Sequence, residues 1–133
     1  MKAQRILIVD DDLFHRAAME KVLQVYGYET LSCESGEDAV VKIKEHSFGA
    51  LITDFRMQGM DGLQLIREAR SIIPQISAVL VTGLETEEMR VKAGKQGVNG
   101  FFSKPVEWDE LIGFLDAASP GEWNGDQLKR PEE

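Results

Sequence analysis

Residues 50–62 read ALITDFRMQGMDG, and the parsing of that stretch decides the fold. Gly49 to Thr53 is a short apolar run that reads as a buried strand, and it ends on an acid, Asp54, followed by a Gly-rich turn. A carboxylate at the tip of a buried strand is costly unless a cation, hydrogen bonds or chemistry accounts for it. Helix capping does not, because the next helical pattern begins only near Gly62, where Asp61 is the better cap. Asp54 therefore stands at a strand tip without a structural task.

Toward the N-terminus, Ile6 to Val9 is a β-branched run that ends in Asp10, Asp11 and Asp12, a second buried strand closing in acids. From Leu13 the period becomes helical, with Met19, Val22, Leu23 and Tyr26 on one stripe, Asp12 as a possible cap and Gly27 as a stop. Tyr28 to Cys33 is another strand, and Ser35 caps a helix carrying Ala39, Val40 and Ile43, with His46 near its end. Toward the C-terminus, Leu63, Ile66, Ala69 and Ile73 mark a helix stopped by Pro74. Ile76 to Val81 is a strand ending in Thr82 and Gly83, and Thr86 to Lys95 is a helix of weak apolar pattern. Gly100 to Ser103 is a short strand followed by Lys104 and Pro105. Trp108, Leu111, Ile112 and Leu115 give the last helix a stripe at i, +3, +4 and +7. Residues 119–133 are polar and without apolar period, which predicts a frayed tail or linker after a single domain over 1–118.

Strand and helix thus alternate five times with short connections, the pattern of a parallel sheet covered by helices on both faces. Ligands of such sheets lie at the carboxyl ends of the strands, where strand order reverses. Asp10 and Asp11, Asp54, Thr82 and Lys104 all fall at those ends, so a parallel sheet gathers them into one crevice. Three carboxylates cannot all stay ionised there without compensation, which a divalent cation with oxygen ligands, Mg²⁺ above all, provides. Lys104 adds a point positive charge suited to a phosphate oxygen, and Thr82 a hydroxyl. The set describes phosphoryl transfer by electrostatics and positioning, with an aspartate able to accept the group as an acyl phosphate.

Composition sets bounds on this reading. The 15 Lys and Arg against 23 Asp and Glu give a net charge of −8, the wrong sign for a nucleic-acid surface. Cys33 is the one cysteine, which excludes an internal disulfide and a thiolate metal cluster. No apolar run approaches the roughly 18 residues that span a bilayer. The N-terminal apolar run is only four residues long before three acids, too short for a signal peptide, and a cytoplasmic protein is expected.

Four segments, ILIVDDD, ITDFRMQGMDG, VLVTG and FFSKP, in this order and spacing, resemble the receiver domain of two-component response regulators over roughly Arg5 to Ala118. The resemblance implies a flavodoxin-like, doubly wound α/β fold with a five-stranded parallel sheet of order 2-1-3-4-5. It implies Asp54 as phosphoacceptor, with Asp10, Asp11, Asp54 and the backbone carbonyl of Arg56 holding Mg²⁺, for which Mn²⁺ can substitute. Thr82 matches the switch hydroxyl, Lys104 the phosphate-binding lysine and Phe101 the switch aromatic, which turns inward from solvent on activation. A cis peptide is implied at Lys104–Pro105. The implied partners are a sensor histidine kinase or phosphotransfer protein as donor, and a downstream effector or an output domain beyond this chain. The effector would meet the face made by the fourth helix, fifth strand and fifth helix. Gln58 departs from the proline usual after the methionine, and Arg56 and Leu84 stand at positions that modulate water access to the phosphoryl group.

Two other classes fit parts of the pattern. Asp10 and Asp12 form the Asp-x-Asp of a Mg²⁺-dependent phosphatase with a nucleophile on the first strand, although Phe14 stands where such enzymes carry Thr or Val. A receiver-like binding module that never takes phosphate is the other. His15 and His46 have no partner at metal spacing and read as surface residues.

Overall fold

In the computed structural model, which describes residues 5–83 and 86–117, strand and helix alternate along the chain. The elements are β1 (Arg5–Val9), α1 (Leu13–Val25), β2 (Glu29–Cys33), α2 (Gly36–Glu45), β3 (Ala50–Asp54), α3 (Gly62–Ile72), β4 (Ser77–Thr82), α4 (Glu87–Lys95), β5 (Gly100–Ser103) and α5 (Trp108–Ala117). All four strand pairings are parallel, and the order is β2-β1-β3-β4-β5. This is the flavodoxin-like topology, and the order reverses between β1 and β3.

The period-2 alternation of strand side chains sorts the core into two layers. Leu7, Val9, Leu51, Ala78, Leu80 and Phe101 face α2, α3 and α4. Ile6, Ile8, Ile52, Val79, Val81 and Phe102 face α1 and α5. The helices start where polar caps allow. Asp12 accepts from the Phe14 and His15 amides, Ser35 from Asp38, and Thr86 from Met89. Asp61 forms a full capping box with Gln64, so the acid that could have competed with Asp54 for the capping role does cap α3. Gly27, at φ 94°, supplies the left-handed turn that ends the α1 segment. Cys33 is buried and burial pushes its thiol up to about 11, the state of an inert core residue. No helix among the described residues is long and apolar enough to cross a membrane.

The amino-terminal ends of β4 and β5 are tied by one guanidinium. Arg70 on α3 donates from Nη1 to the Gln96 carbonyl at 2.8 Å, from Nη2 to Asn99 Oδ1 at 2.8 Å, and from Nε to the Ile76 carbonyl at 3.4 Å. The same Asn99 Oδ1 accepts from the Ala78 amide at 2.8 Å. Charged hydrogen bonds to half-buried acceptors are worth more than neutral ones. Arg70→Met keeps the aliphatic packing and removes all three, so it is expected to cost about 2–3 kcal/mol. The check is a lowered urea midpoint at unchanged slope.

Candidate functional site

Strand register brings the acids together. Val9 pairs with Thr53, so Asp10, one residue past β1, lies beside Asp54 at the tip of the neighbouring strand. Asp10 and Asp54 are buried, 2% and 7% exposed, while Asp11 is open to solvent. One carboxylate oxygen from each of Asp10, Asp11 and Asp54 lies within 4.8 Å of the others.

The Lys104 ammonium enters from the loop after β5, with Nζ 3.0 Å from Asp54 Oδ2 and 3.4 Å from Asp10 Oδ2. Its backbone N–H donates a hydrogen bond to the Thr82 carbonyl at 2.8 Å, which couples the ends of β4 and β5. The Lys104–Pro105 peptide is cis, as the resemblance implies. Thr82 is buried at the tip of β4, beside the same end of the sheet. The Arg56 side chain is exposed. Leu84 lies outside the described residues. Gln58 is exposed and, with Asp11, Glu34 and Ser35, lines an open cleft of 460 Å³ next to the acids.

The carboxylates are not equivalent. Burial pushes the Asp54 carboxyl up; Lys104 draws it down, but Asp10 and Asp11 add repulsion, and the net direction is upward. Burial also pushes Asp10 up, yet hydrogen bonds from His15 and from the Asp12 amide, with Lys104 nearby, outweigh it and hold it below the ordinary range. Burial lowers the Lys104 ammonium, and the bond to Asp54 and the charge of Asp10 more than offset that. One ammonium thus does not offset the cost of burying the Asp54 charge beside two other acids. The residues fit a hard divalent cation, since all the donors are oxygens and the site carries surplus negative charge.

Asp10 is tethered on every side. Oδ1 accepts from the Asp12 amide at 2.9 Å, Oδ2 faces His15 Nδ1 at 2.5 Å, and the backbone carbonyl accepts from Arg16 Nη1 at 2.7 Å. Asp54 Oδ2, by contrast, meets only the Lys104 ammonium among the described hydrogen bonds. Asp10 is thus the more constrained of the two buried carboxylates and Asp54 the less constrained.

His15 corrects its sequence reading. It is a half-buried neighbour of the site, not a surface residue, bonded to Asp10 and tilted against Trp108 with ring centroids 5.7 Å apart. The missed signal was its place as the third residue of α1, where side chains lean back toward the helix start. Phe101 is fully buried, with the Arg90 guanidinium 5.2 Å from its ring centroid, so the inward position is already occupied in this structure.

A family model described as the response regulator receiver domain matches residues 6–116. Chemotaxis protein CheY of Bacillus subtilis is 33% identical over 111 residues, covering 83% of this chain and 92% of that protein. Transcriptional regulatory protein ZraR of Salmonella typhimurium is 33% identical over 113 residues, which is 85% of this chain but 26% of ZraR, so the chain corresponds to only part of that relative. Among solved structures, a response regulator receiver protein from Pseudomonas putida aligns with a TM-score of 0.83 at 29% identity, covering 89% of this chain and 99% of that one.

Proposed function

Because the chain belongs to the response regulator receiver family, we propose that it is a phosphorylation-activated signalling element of a two-component system, with Asp54 as the phosphoacceptor. The observation that carries the reading is Asp54 itself: buried, 3.0 Å from the Lys104 ammonium, and crowded by Asp10 and Asp11. The donor is a phosphohistidine on a sensor kinase or phosphotransfer protein. An Asp54 carboxylate oxygen attacks the phosphorus in line, the phosphorus–nitrogen bond breaks, and its electron pair returns to the donor imidazole. The product is an acyl phosphate. Lys104 moves with little cost from pairing a carboxylate to pairing a phosphoryl oxygen, since its point charge makes no directional demand. Asp10, Asp11, Asp54 and the Arg56 carbonyl would hold Mg²⁺, with Mn²⁺ able to substitute, and the bound cation would supply neutralising charge to the phosphoryl oxygens.

The output rests on Thr82 and Phe101. Thr82 hydrogen-bonds the phosphoryl group, and its shift favours the packing of Phe101 that re-shapes the α4-β5-α5 face for an effector or a linked output domain. Phosphorylation then biases two existing states through contacts made better in one. α4 buries only Met89 and Ala93, which suits an element whose docking is cheap to alter. The signalling unit is residues 1–118, followed by the polar tail 119–133, which lies outside the described residues, and its setting is the cytoplasm.

Intact mass after incubation with acetyl phosphate tests the reading. With Mg²⁺ the protein should gain one phosphoryl group, lost on hydroxylamine treatment, and with EDTA it should gain none. A chain that stays unmodified with Mg²⁺, or carries a hydroxylamine-resistant phosphate, overturns it.

A further inference from the structure

His15 touches the site, yet the receiver reading gives it no task. Its Nδ1 lies 2.5 Å from Asp10 Oδ2, and a carboxylate only accepts, so Nδ1 is the donor. Its Nε2 is buried with no hydrogen-bond partner among the described residues. The ring is tilted 31° against Trp108, the first residue of α5, which is itself half-buried. A buried, unpartnered nitrogen is a cost that a surface histidine would avoid by turning to water. The side chain is held inward by the two contacts it does make, one to the carboxylate and one to the indole.

We propose that His15 is a positioning residue that fixes the Asp10 carboxylate for cation binding and couples that carboxylate to α5 through Trp108. The inference rests on the cation site described above and assigns it a link to a second element. Asp10 Oδ1 is already oriented by the Asp12 amide, and the carbonyl of Asp10 by Arg16. Without His15 the Oδ2 side is left to Lys104 alone, at the longer distance of 3.4 Å. Each carboxylate oxygen accepts more than one partner, so the Asp12 and His15 bonds leave Asp10 capacity for a cation while removing its rotational freedom. Outer bonds of this kind are worth about 10–100-fold in metal affinity. A cation that draws on Asp10 also draws on the imidazole, and the indole stacked on that ring registers the movement.

The experiment is Mg²⁺ titration of the full chain by calorimetry and by Trp fluorescence, in a Trp123→Phe background that leaves Trp108 as the only indole. His15→Leu is expected to weaken Mg²⁺ binding about tenfold or more and to abolish the Mg²⁺-dependent change in Trp108 fluorescence. His15→Asn, whose amide can donate from near the place of Nδ1, is expected to recover most of the affinity while the fluorescence change stays small, because no ring meets Trp108. His15→Leu binding Mg²⁺ within about twofold of the parent, against the expected factor, overturns the proposal. So does a failure of His15→Asn to bind better than His15→Leu. Absence of Mg²⁺ binding in the parent chain instead removes the receiver reading on which the proposal stands.

Discussion

Asp54→Asn is expected to abolish labelling by acetyl phosphate completely while raising the melting temperature in metal-free buffer at neutral pH. The first half follows from the chemistry: an amide oxygen is too poor a nucleophile to attack phosphorus, and Asp10, tethered by the Asp12 amide, His15 and Lys104, is not free to turn in line with it. Survival of labelling in Asp54→Asn would move the nucleophile to Asp10 and restore the phosphatase reading. The second half follows from linkage. The folded-state pKa of Asp54 lies above its ordinary 3.8, so over that window the folded chain holds a proton the unfolded chain has lost, and stability falls as pH rises. Asn removes this burden. Lys104 keeps Asp10 as a partner in the variant, so no bare ammonium offsets the gain. The stabilisation should therefore be largest near neutrality and vanish below pH 3.8, where Asp54 is protonated in both states. Added Mg²⁺ should raise the melting temperature of the parent more than that of the variant, because binding to the folded form alone stabilises it. Thermal melts across pH, with and without Mg²⁺, check all of this.

Gly62→Ala is expected to lower both stability and the rate of labelling. Gly62 opens α3, and a Cβ there would meet the Asp54 carbonyl oxygen at 2.4 Å and Leu80 Cδ1 at 2.9 Å. The first obstacle is backbone, which does not rotate aside, and that carbonyl already accepts from Thr53 Oγ1 at 2.9 Å. Alanine would gain up to about 1 kcal/mol over glycine in a helix, but overpacking costs about 1–3 kcal/mol or more. The net loss should be about 2 kcal/mol, with slower labelling because the strand tip carrying Asp54 must shift. Gly94→Ala in α4 is the contrast: nothing lies within 4 Å of its added Cβ, so it should gain about 0.5–1 kcal/mol. Denaturant midpoints separate the two, and equal effects of either sign would remove the close-approach argument.

The fold was legible because its signals are local. Apolar runs closing on Asp10, Asp54 and Thr82, and caps at Asp12, Ser35 and Asp61, placed the five strands to within a residue and each helix in its order between or after them. The meeting of Asp10, Asp54 and Lys104 was legible too, since a parallel sheet sends successive strand ends to one edge. What escaped depends on contacts between distant segments. His15 carries no periodic signal, and its role as a neighbour of Trp108 arises only when α1 and α5 pack on the same face. Arg70 and Asn99 are 29 residues apart and belong to no pattern of hydrophobicity. Leu65 was left off the α3 stripe because that helix buries a broader arc than its spacing suggested.

The Arg70 guanidinium gives the sheet a fulcrum. It clamps the Ile76, Gln96 and Asn99 end, while Thr82, Ser103 and Lys104 occupy the other. Were the Thr82 end to move, the clamped end would serve as its pivot. α4 begins at Glu87, after the Thr82 end of β4, and ends at Lys95, next to the Gln96 carbonyl that the clamp holds. Displacement at the free end would therefore shrink along α4 toward that pivot, as motion on a lever fades toward its support.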